Sequence, residues 1–220
     1  MRQCLICKRR NIEHYGICPD CEGMNALHRA AGADLSGYTA LVTGGRINIG
    51  YHTCLRLLRN GAEVIAVTRF PYDAISRYSA EPDHGDFKDR LHICGFDLKR
   101  ADRMDGLISF VKETFPGGLD ILINNAAQTI RKAPSYYAQL AAGEERLRLE
   151  FNGTAPAVLT AEDNTPDGLI PISGGSDLSL YETPTHNSWV AKSDEISAAE
   201  LLEVQLINVT APFLLTAQLK

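Results

Sequence analysis

Four cysteines fall within the first 21 residues as two pairs, Cys4-Leu5-Ile6-Cys7 and Cys18-Pro19-Asp20-Cys21, with ten residues between the pairs. A Cys-x-x-Cys turn aims two thiolates at one ion, and two such turns supply the closed tetrahedral set of a structural zinc site. An iron–sulfur site or reduced, solvent-facing thiols are the alternatives, and a redox disulfide is disfavoured because two matched pairs would be redundant. Residues 1–32 carry no apolar period long enough for a core of their own, so bound metal is expected to stabilise this segment. Arg2, Lys8, Arg9 and Arg10 give it a basic face, which suits either a protein partner or plain solvation. Cys54 and Cys94 stand alone in apolar stretches and read as small core residues.

A second chemical feature is the run Thr43-Gly44-Gly45-Arg46-Ile47-Asn48-Ile49-Gly50. It follows an apolar strand-like run and opens a helix-like one. Glycines there let backbone approach a pyrophosphate, and the free N–H groups and dipole of a helix start favour negative charge. A tight turn with no ligand has the same appearance, so the turn alone does not decide the matter.

The elements that must position these residues follow from periodicity. Thr39 to Val42, Glu63 to Val67, Leu91 to Gly95 and Asp120 to Ile123 read as strands. Residues 49–60, 72–79 and 101–115 read as helices between them. Alternation at this spacing implies βαβ units with a parallel sheet and right-handed crossovers. Residues 128–195 break the rhythm, with five prolines, a Gly-Gly pair and one possible helix near 135–150. They are expected to form an insertion or lid. A strongly amphipathic helix is expected from Ala198 to Leu219, burying Leu201, Leu202, Val204, Leu206, Ile207, Phe213 and Leu214.

Composition bounds the rest. The 220 residues suit one domain with a small appendage, 1–32 and 33–220, and 45% hydrophobic against 22% charged residues is ordinary globular usage. With 22 Lys plus Arg against 27 Asp plus Glu the net charge is −5, so nucleic acid is not an expected partner. No unbroken run of about 18 apolar residues occurs, and no membrane association is expected. The reading is a soluble, cytoplasmic chain.

Taken in order, the motifs resemble the short-chain dehydrogenase/reductase family. Thr43, Gly44 and Gly50 match its Thr-Gly-x-x-x-Gly-x-Gly turn, with Asn48 in place of the middle glycine. Phe96-Asp97-Leu98 is similar to its Asp-Leu pair beside the adenine. Asn124-Asn125-Ala126-Ala127 is similar to its Asn-Asn-Ala-Gly, and Asn208 sits where the family carries a helix-borne catalytic asparagine. The resemblance implies a Rossmann-like, doubly wound α/β sheet, here incomplete at about four strands behind the zinc segment. It also implies a nicotinamide cofactor held by Thr43, Gly44, Gly45, Arg46, Asn48, Ile49, Gly50, Arg69, Asp97, Leu98, Asn125, Ala126 and Ala127. The acidic residue that usually takes the ribose 2′-hydroxyl is replaced by Thr68-Arg69. Arg69 and Arg46 thereby point to NADP rather than NAD.

The resemblance further implies hydride transfer to or from a small carbonyl or alcohol, and a homo-oligomer. One part of the pattern is missing. None of the eight tyrosines is followed four residues later by a lysine, the pair that does the family's acid–base work. The expectation is a chain truncated before that pair, inactive alone. The alternative is a zinc-headed nucleotide-binding scaffold or redox-sensing interaction protein without turnover.

Overall fold

Ala40, Leu41 and Val42 are fully buried, as are Val64, Ile65 and Ala66. A strand covered on both faces has no polar alternation, which is why these runs read as unbroken apolar sequence. In the computed structural model, residues 2–12, 16–128, 134–153, 156–159 and 190–219 are described. The chain divides into two compact units, Met1–Asp34 and Leu35–Lys220.

The first unit holds a short antiparallel pair, β1 (Arg2–Gln3) and β2 (Arg10–Ile12), then helix α1 (Pro19–Ala30). The second begins with β3 (Thr39–Thr43), α2 (Asn48–Arg59), β4 (Glu63–Thr68), α3 (Pro71–Ser79) and the short α4 (His84–Phe87). It continues with β5 (Leu91–Gly95), α5 (Met104–Thr114), β6 (Ile121–Ile123), α6 (Pro134–Glu150) and β7 (Ala157–Val158). The helix expected over 101–115 starts as a 3-10 turn, Ala101–Arg103, before α5.

The sheet order is β6-β3-β4-β5-β7, with every pairing parallel. About four strands were expected, and the structure corrects this to five. Ala157 and Val158, in the zone read as an insertion, pair with Cys94 and Gly95. Their pairing covers the end of the β5 edge that faces away from β4, whose backbone groups would otherwise have no sheet partner on that side. Residues 129–133, 154–155 and 160–189, most of the expected insertion or lid, lie outside the described residues.

Successive residues of β3 and β4 feed opposite faces of the sheet. Leu41, Ile65 and Val67 pack with Leu107 and Val111 of α5 and with Ile207, Ala211 and Leu215. Ala40, Val42, Val64 and Ala66 pack with Leu55 and Leu58 of α2 and Tyr78 of α3. Cys54 and Cys94 are both fully buried, and burial pushes their thiols up to about 11 and about 12. They are core residues.

The last helical stretch runs as α7 (Ala198–Gln205), a π turn (Leu206–Thr210) and α8 (Ala211–Gln218). Its buried side matches the expected one at Ile207, with Leu214 packed against the core, and differs from it elsewhere. Ile207, Ala211, Leu215 and Leu219 are buried, four residues apart, whereas Leu201, Leu202 and Phe213 are more than half exposed. The π turn accommodates an extra residue and changes the phase of the helix face halfway along, which a constant 3.6-residue period does not anticipate. By length and composition alone, Ala198–Gln218, with mean hydropathy 1.3, is long and apolar enough to cross a membrane. The sequence reading missed this because Glu200 and Glu203 interrupt the apolar run without lowering its average far. Ile207, Ala211 and Leu215 pack against the sheet, while most of this helix, Leu201, Leu202, Val209 and Phe213 included, is not buried.

Candidate functional site

Where β3 ends, Thr43 is buried and its hydroxyl accepts the Ala126 N–H at 3.0 Å. Asn125 completes the joint between β3 and β6, its Nδ2 donating to the Thr43 carbonyl at 3.0 Å and to the Gly44 carbonyl at 3.4 Å. The N–H groups of Gly44 and Gly45 both donate to the Val67 carbonyl, at 2.8 and 3.1 Å. Those two amides therefore serve β4. The amides of the α2 start remain, because no side chain caps the helix at Ile47 and no acidic residue lies in its first turn.

Steric room sets the residue types of the turn. A Cβ on Gly50 would run into the Gly44 carbonyl and come within 2.5 Å of Asn125 Nδ2. Asn48, standing for the family's middle glycine, has φ +53°. Asparagine is the side chain that best tolerates this left-handed conformation, so the replacement keeps the backbone path. Tyr78, fully buried on α3, fixes the turn from behind by donating its hydroxyl to the Gly45 carbonyl at 2.6 Å.

At the carboxyl ends of β3, β4, β5 and β6 lies a cleft of about 360 Å³. All the expected nucleotide residues line it except Thr43 and Gly45, which stand behind its wall. The sequence reading missed Phe70, Gln128 and Ile207 on its lining. Phe70 follows Arg69 directly and carried a readable aromatic signal. Gln128 and Ile207 belong to no motif, and only the tertiary fold brings them there.

The two arginines differ in their surroundings. Arg46 Nη1 lies 2.5 Å from Asp73 Oδ2, and its guanidinium stacks 5.0 Å from the Phe70 ring centre. Arg77 reaches the same carboxylate at 2.8 Å. Burial alone would raise the Asp73 carboxyl, but the hydrogen bonds from Arg77 and Arg46 outweigh it and hold the group below its ordinary value. Arg69 lies over the rings of Phe70, at 5.5 Å, and Tyr137 of α6, at 5.2 Å. Among the described residues no carboxylate lies within ion-pair distance of it. Glu144 of α6 accepts the N–H groups of Tyr72 and Asp73 at 2.6 and 2.9 Å, closing the start of α3. Burial pushes its carboxyl up against the pull of those amides.

The family model for short chain dehydrogenases matches residues 38–163, more than half of the chain. The chain belongs to the short chain dehydrogenase family. An uncharacterized protein of Acanthamoeba polyphaga mimivirus is 41% identical over 138 residues, which is 59% of this chain and 30% of that protein. The (+)-neomenthol dehydrogenase of Capsicum annuum is 37% identical over 146 residues, 65% of this chain and 43% of the enzyme. The chain thus spans less than half the length of these relatives. Among solved structures, a short chain dehydrogenase from Burkholderia cenocepacia in complex with NADP has a TM-score of 0.50 at 19% identity, covering 84% of this chain and 50% of that one. A blue fluorescent protein from a metagenomic library, in complex with NADPH, has a TM-score of 0.51 at 15% identity, with 84% and 51% covered. At these identities the likeness is one of fold.

The short chain dehydrogenase motifs meet around the cleft, and Asn208 is the exception to a purely catalytic reading. Its Oδ1 accepts the Gln128 N–H at 2.8 Å and its Nδ2 donates to the Gln128 carbonyl at 2.9 Å. Both ends of its amide are therefore engaged with backbone. Gln128 Nε2 donates to Glu203 Oε1 at 3.0 Å, and Lys99 Nζ stands 3.8 Å from the same oxygen and 3.7 Å from Asp97 Oδ2. Asp97 Oδ1 also accepts the Lys99 N–H at 3.0 Å, so this carboxylate shapes the loop that borders the cleft.

The cysteine unit lies outside the family match. There the structure brings Cys4, Cys7, Cys18 and Cys21 together, with Cys4 and Cys21 buried and the other two half-buried. Backbone N–H groups, that of Cys18 foremost, bring the Cys4 thiol down to about 6, while the hydrogen bond with Cys18 and burial push Cys21 up to about 12.

Proposed function

We propose that the cleft binds NADP(H) and serves a short-chain-type oxidoreductase acting on a small carbonyl or alcohol. The observation that carries this reading is Arg69, a cleft-lining guanidinium with no carboxylate within ion-pair distance among the described residues, at the end of β4 where an acidic residue would select the ribose 2′-hydroxyl. The dinucleotide also fits the turn, since a glycine at position 50 is what lets the turn close on the Gly44 carbonyl and Asn125, and the start of α2 has amides with no capping side chain.

In this reading Gly44 to Gly50 and the α2 start receive the pyrophosphate. Arg69 receives the 2′-phosphate through charge-assisted hydrogen bonds, and Arg46, anchored by Asp73, adds positive charge beside it. Asp97 and Leu98 border the adenine, and Asn125 to Ala127 border the path toward the nicotinamide. The bound cofactor supplies the hydride. Of the charged side chains that line the cleft, Arg46, Arg69 and Asp97, the two arginines supply the positive charge that favours the extra phosphate. NADP- and NADPH-bound members among the structural neighbours agree with it.

A second reading, nucleotide binding without turnover, is favoured by Asn208, whose amide is occupied by Gln128. Titration of NADPH and NADH by fluorescence tests the first step shared by both readings. Tighter binding of NADPH is expected, and equal affinity for the two nucleotides would refute the NADP assignment. NADPH oxidation with a panel of aldehydes and ketones then separates the two readings.

A further inference from the structure

The first unit is built in a way that burial does not explain. Its helix α1 buries one residue, Cys21, while Leu5, Ile6, Met24 and Leu27 are between 48% and 69% exposed. With so little apolar surface withdrawn from water, the hydrophobic term cannot offset the entropy of ordering these residues. What lies at the centre of the unit is sulfur. The four Sγ atoms all lie within 4.8 Å of one another, and Cys7 Sγ is 3.8 Å from Cys18 Sγ.

That spacing carries chemical information. Ligands at about 2.3 Å from a tetrahedral ion, the usual zinc–thiolate length, are separated by about 3.8 Å along each edge. An iron–sulfur cluster places several irons and inorganic sulfides between its cysteines and holds the thiolates further apart. Between single ions, divalent zinc binds such a site more strongly than ferrous iron in the usual order of affinities. The surroundings supply the support that an anionic tetrathiolate centre requires. The Cys18 N–H donates to Cys4 Sγ at 3.3 Å, and Arg9 Nε donates to Cys7 Sγ at 3.3 Å. Arg9 is itself held by Asp20 at 3.3 Å, between the two cysteines of the second pair.

We propose that Cys4, Cys7, Cys18 and Cys21 bind one zinc ion and that this ion holds residues 2–12 and 16–30 in their fold. Each thiol entering the site releases its proton to solvent, and no redox change is involved. The zinc assignment does not rest on the nucleotide reading, and its test does not read nucleotide binding.

The test is elemental analysis of the full, untagged chain after dialysis. One zinc per chain is expected. Cys18→Ser combined with Cys21→Ser should bring this below about a tenth, and Cys54→Ser with Cys94→Ser should leave it unchanged. Because the first pair of changes can unfold the unit, the reduced, metal-stripped wild-type chain is also titrated with cobalt(II). One equivalent giving the visible and charge-transfer bands of a tetrahedral tetrathiolate supports the assignment. One iron per chain, no bound metal, or a cobalt spectrum with oxygen or nitrogen ligands overturns it.

Discussion

Asn208 and Gln128 exchange a reciprocal pair of hydrogen bonds, amide to backbone, across 80 residues of chain. The pair joins the segment after β6 to the π turn of the last helix. It sets the rotation of that helix, because Ile207 and Ala211 on either side of Asn208 then face the sheet. Asn208, which the resemblance casts as catalytic, thus also has a structural task in this chain.

Asn208→Ala should therefore destabilise the second unit. It leaves the N–H and carbonyl of Gln128, a residue only 8% exposed, without their partners. A buried polar group left unsatisfied costs about 1–3 kcal/mol. Urea denaturation should show a lower midpoint with an unchanged slope. A midpoint equal to that of the wild type would show that water or another donor replaces the clamp.

The legible part of the fold was the part built from local pattern. β3 to β6 were readable within about a residue at each end because each is an apolar run closed by a turn signal. The glycine turn was readable because the collision at Gly50 admits a single residue type. The terminal helix was readable as a helix, but its buried face was not, since the π turn and the Asn208 clamp set that face. Arg46 was expected to meet a phosphate directly, yet Asp73, 27 residues away, holds it. Helix α1 and strand β7 left no periodic signal, one being organised around cysteines and the other being two residues that satisfy a sheet edge.

Gly50 and Gly106 should respond oppositely to alanine. At Gly50 the added Cβ meets the Gly44 carbonyl, so Gly50→Ala must displace the turn and should abolish nucleotide binding. At Gly106, on the exposed side of α5, a Cβ meets nothing within 4 Å. There alanine should stabilise the chain by about 0.5–1 kcal/mol, through better helix propensity and a less flexible unfolded state. Thermal unfolding and NADPH titration of the two variants together check the contrast. Retained binding in Gly50→Ala would mean that the turn is not the phosphate site.

Asp73 should make stability depend on acid. Its folded carboxyl is held below the ordinary value, so its contribution is present above the unfolded value of about 3.9 and is lost as pH falls through the lower folded one. Asp73→Asn removes the charge that Arg46 and Arg77 share. The variant should melt below the wild type at pH 7, and the gap should close as the wild-type carboxylate is protonated. Melting curves by circular dichroism from neutral to strongly acidic pH measure this. A gap that stays constant with pH would assign the effect to lost shape rather than lost charge.

Arg69 should decide between the two nucleotides. NADPH differs from NADH by the 2′-phosphate, and Arg69 lies between the rings of Phe70 and Tyr137 with no carboxylate within ion-pair distance among the described residues. A charge-assisted hydrogen bond contributes about 1.5–3 kcal/mol, so Arg69→Ala should weaken NADPH about 10- to 150-fold. NADH, which lacks the phosphate, should bind the variant as it binds the wild type. The salt dependence of NADPH affinity should also become shallower, since one phosphate-facing charge is gone. Tyr137→Leu offers an intermediate case, because it keeps the cation but removes one ring that orients it, and it should weaken NADPH less than Arg69→Ala does. The decisive comparison is between nucleotides within one variant. An equal loss of NADPH and NADH in Arg69→Ala would show that the arginine supports the cleft wall instead of reading the phosphate.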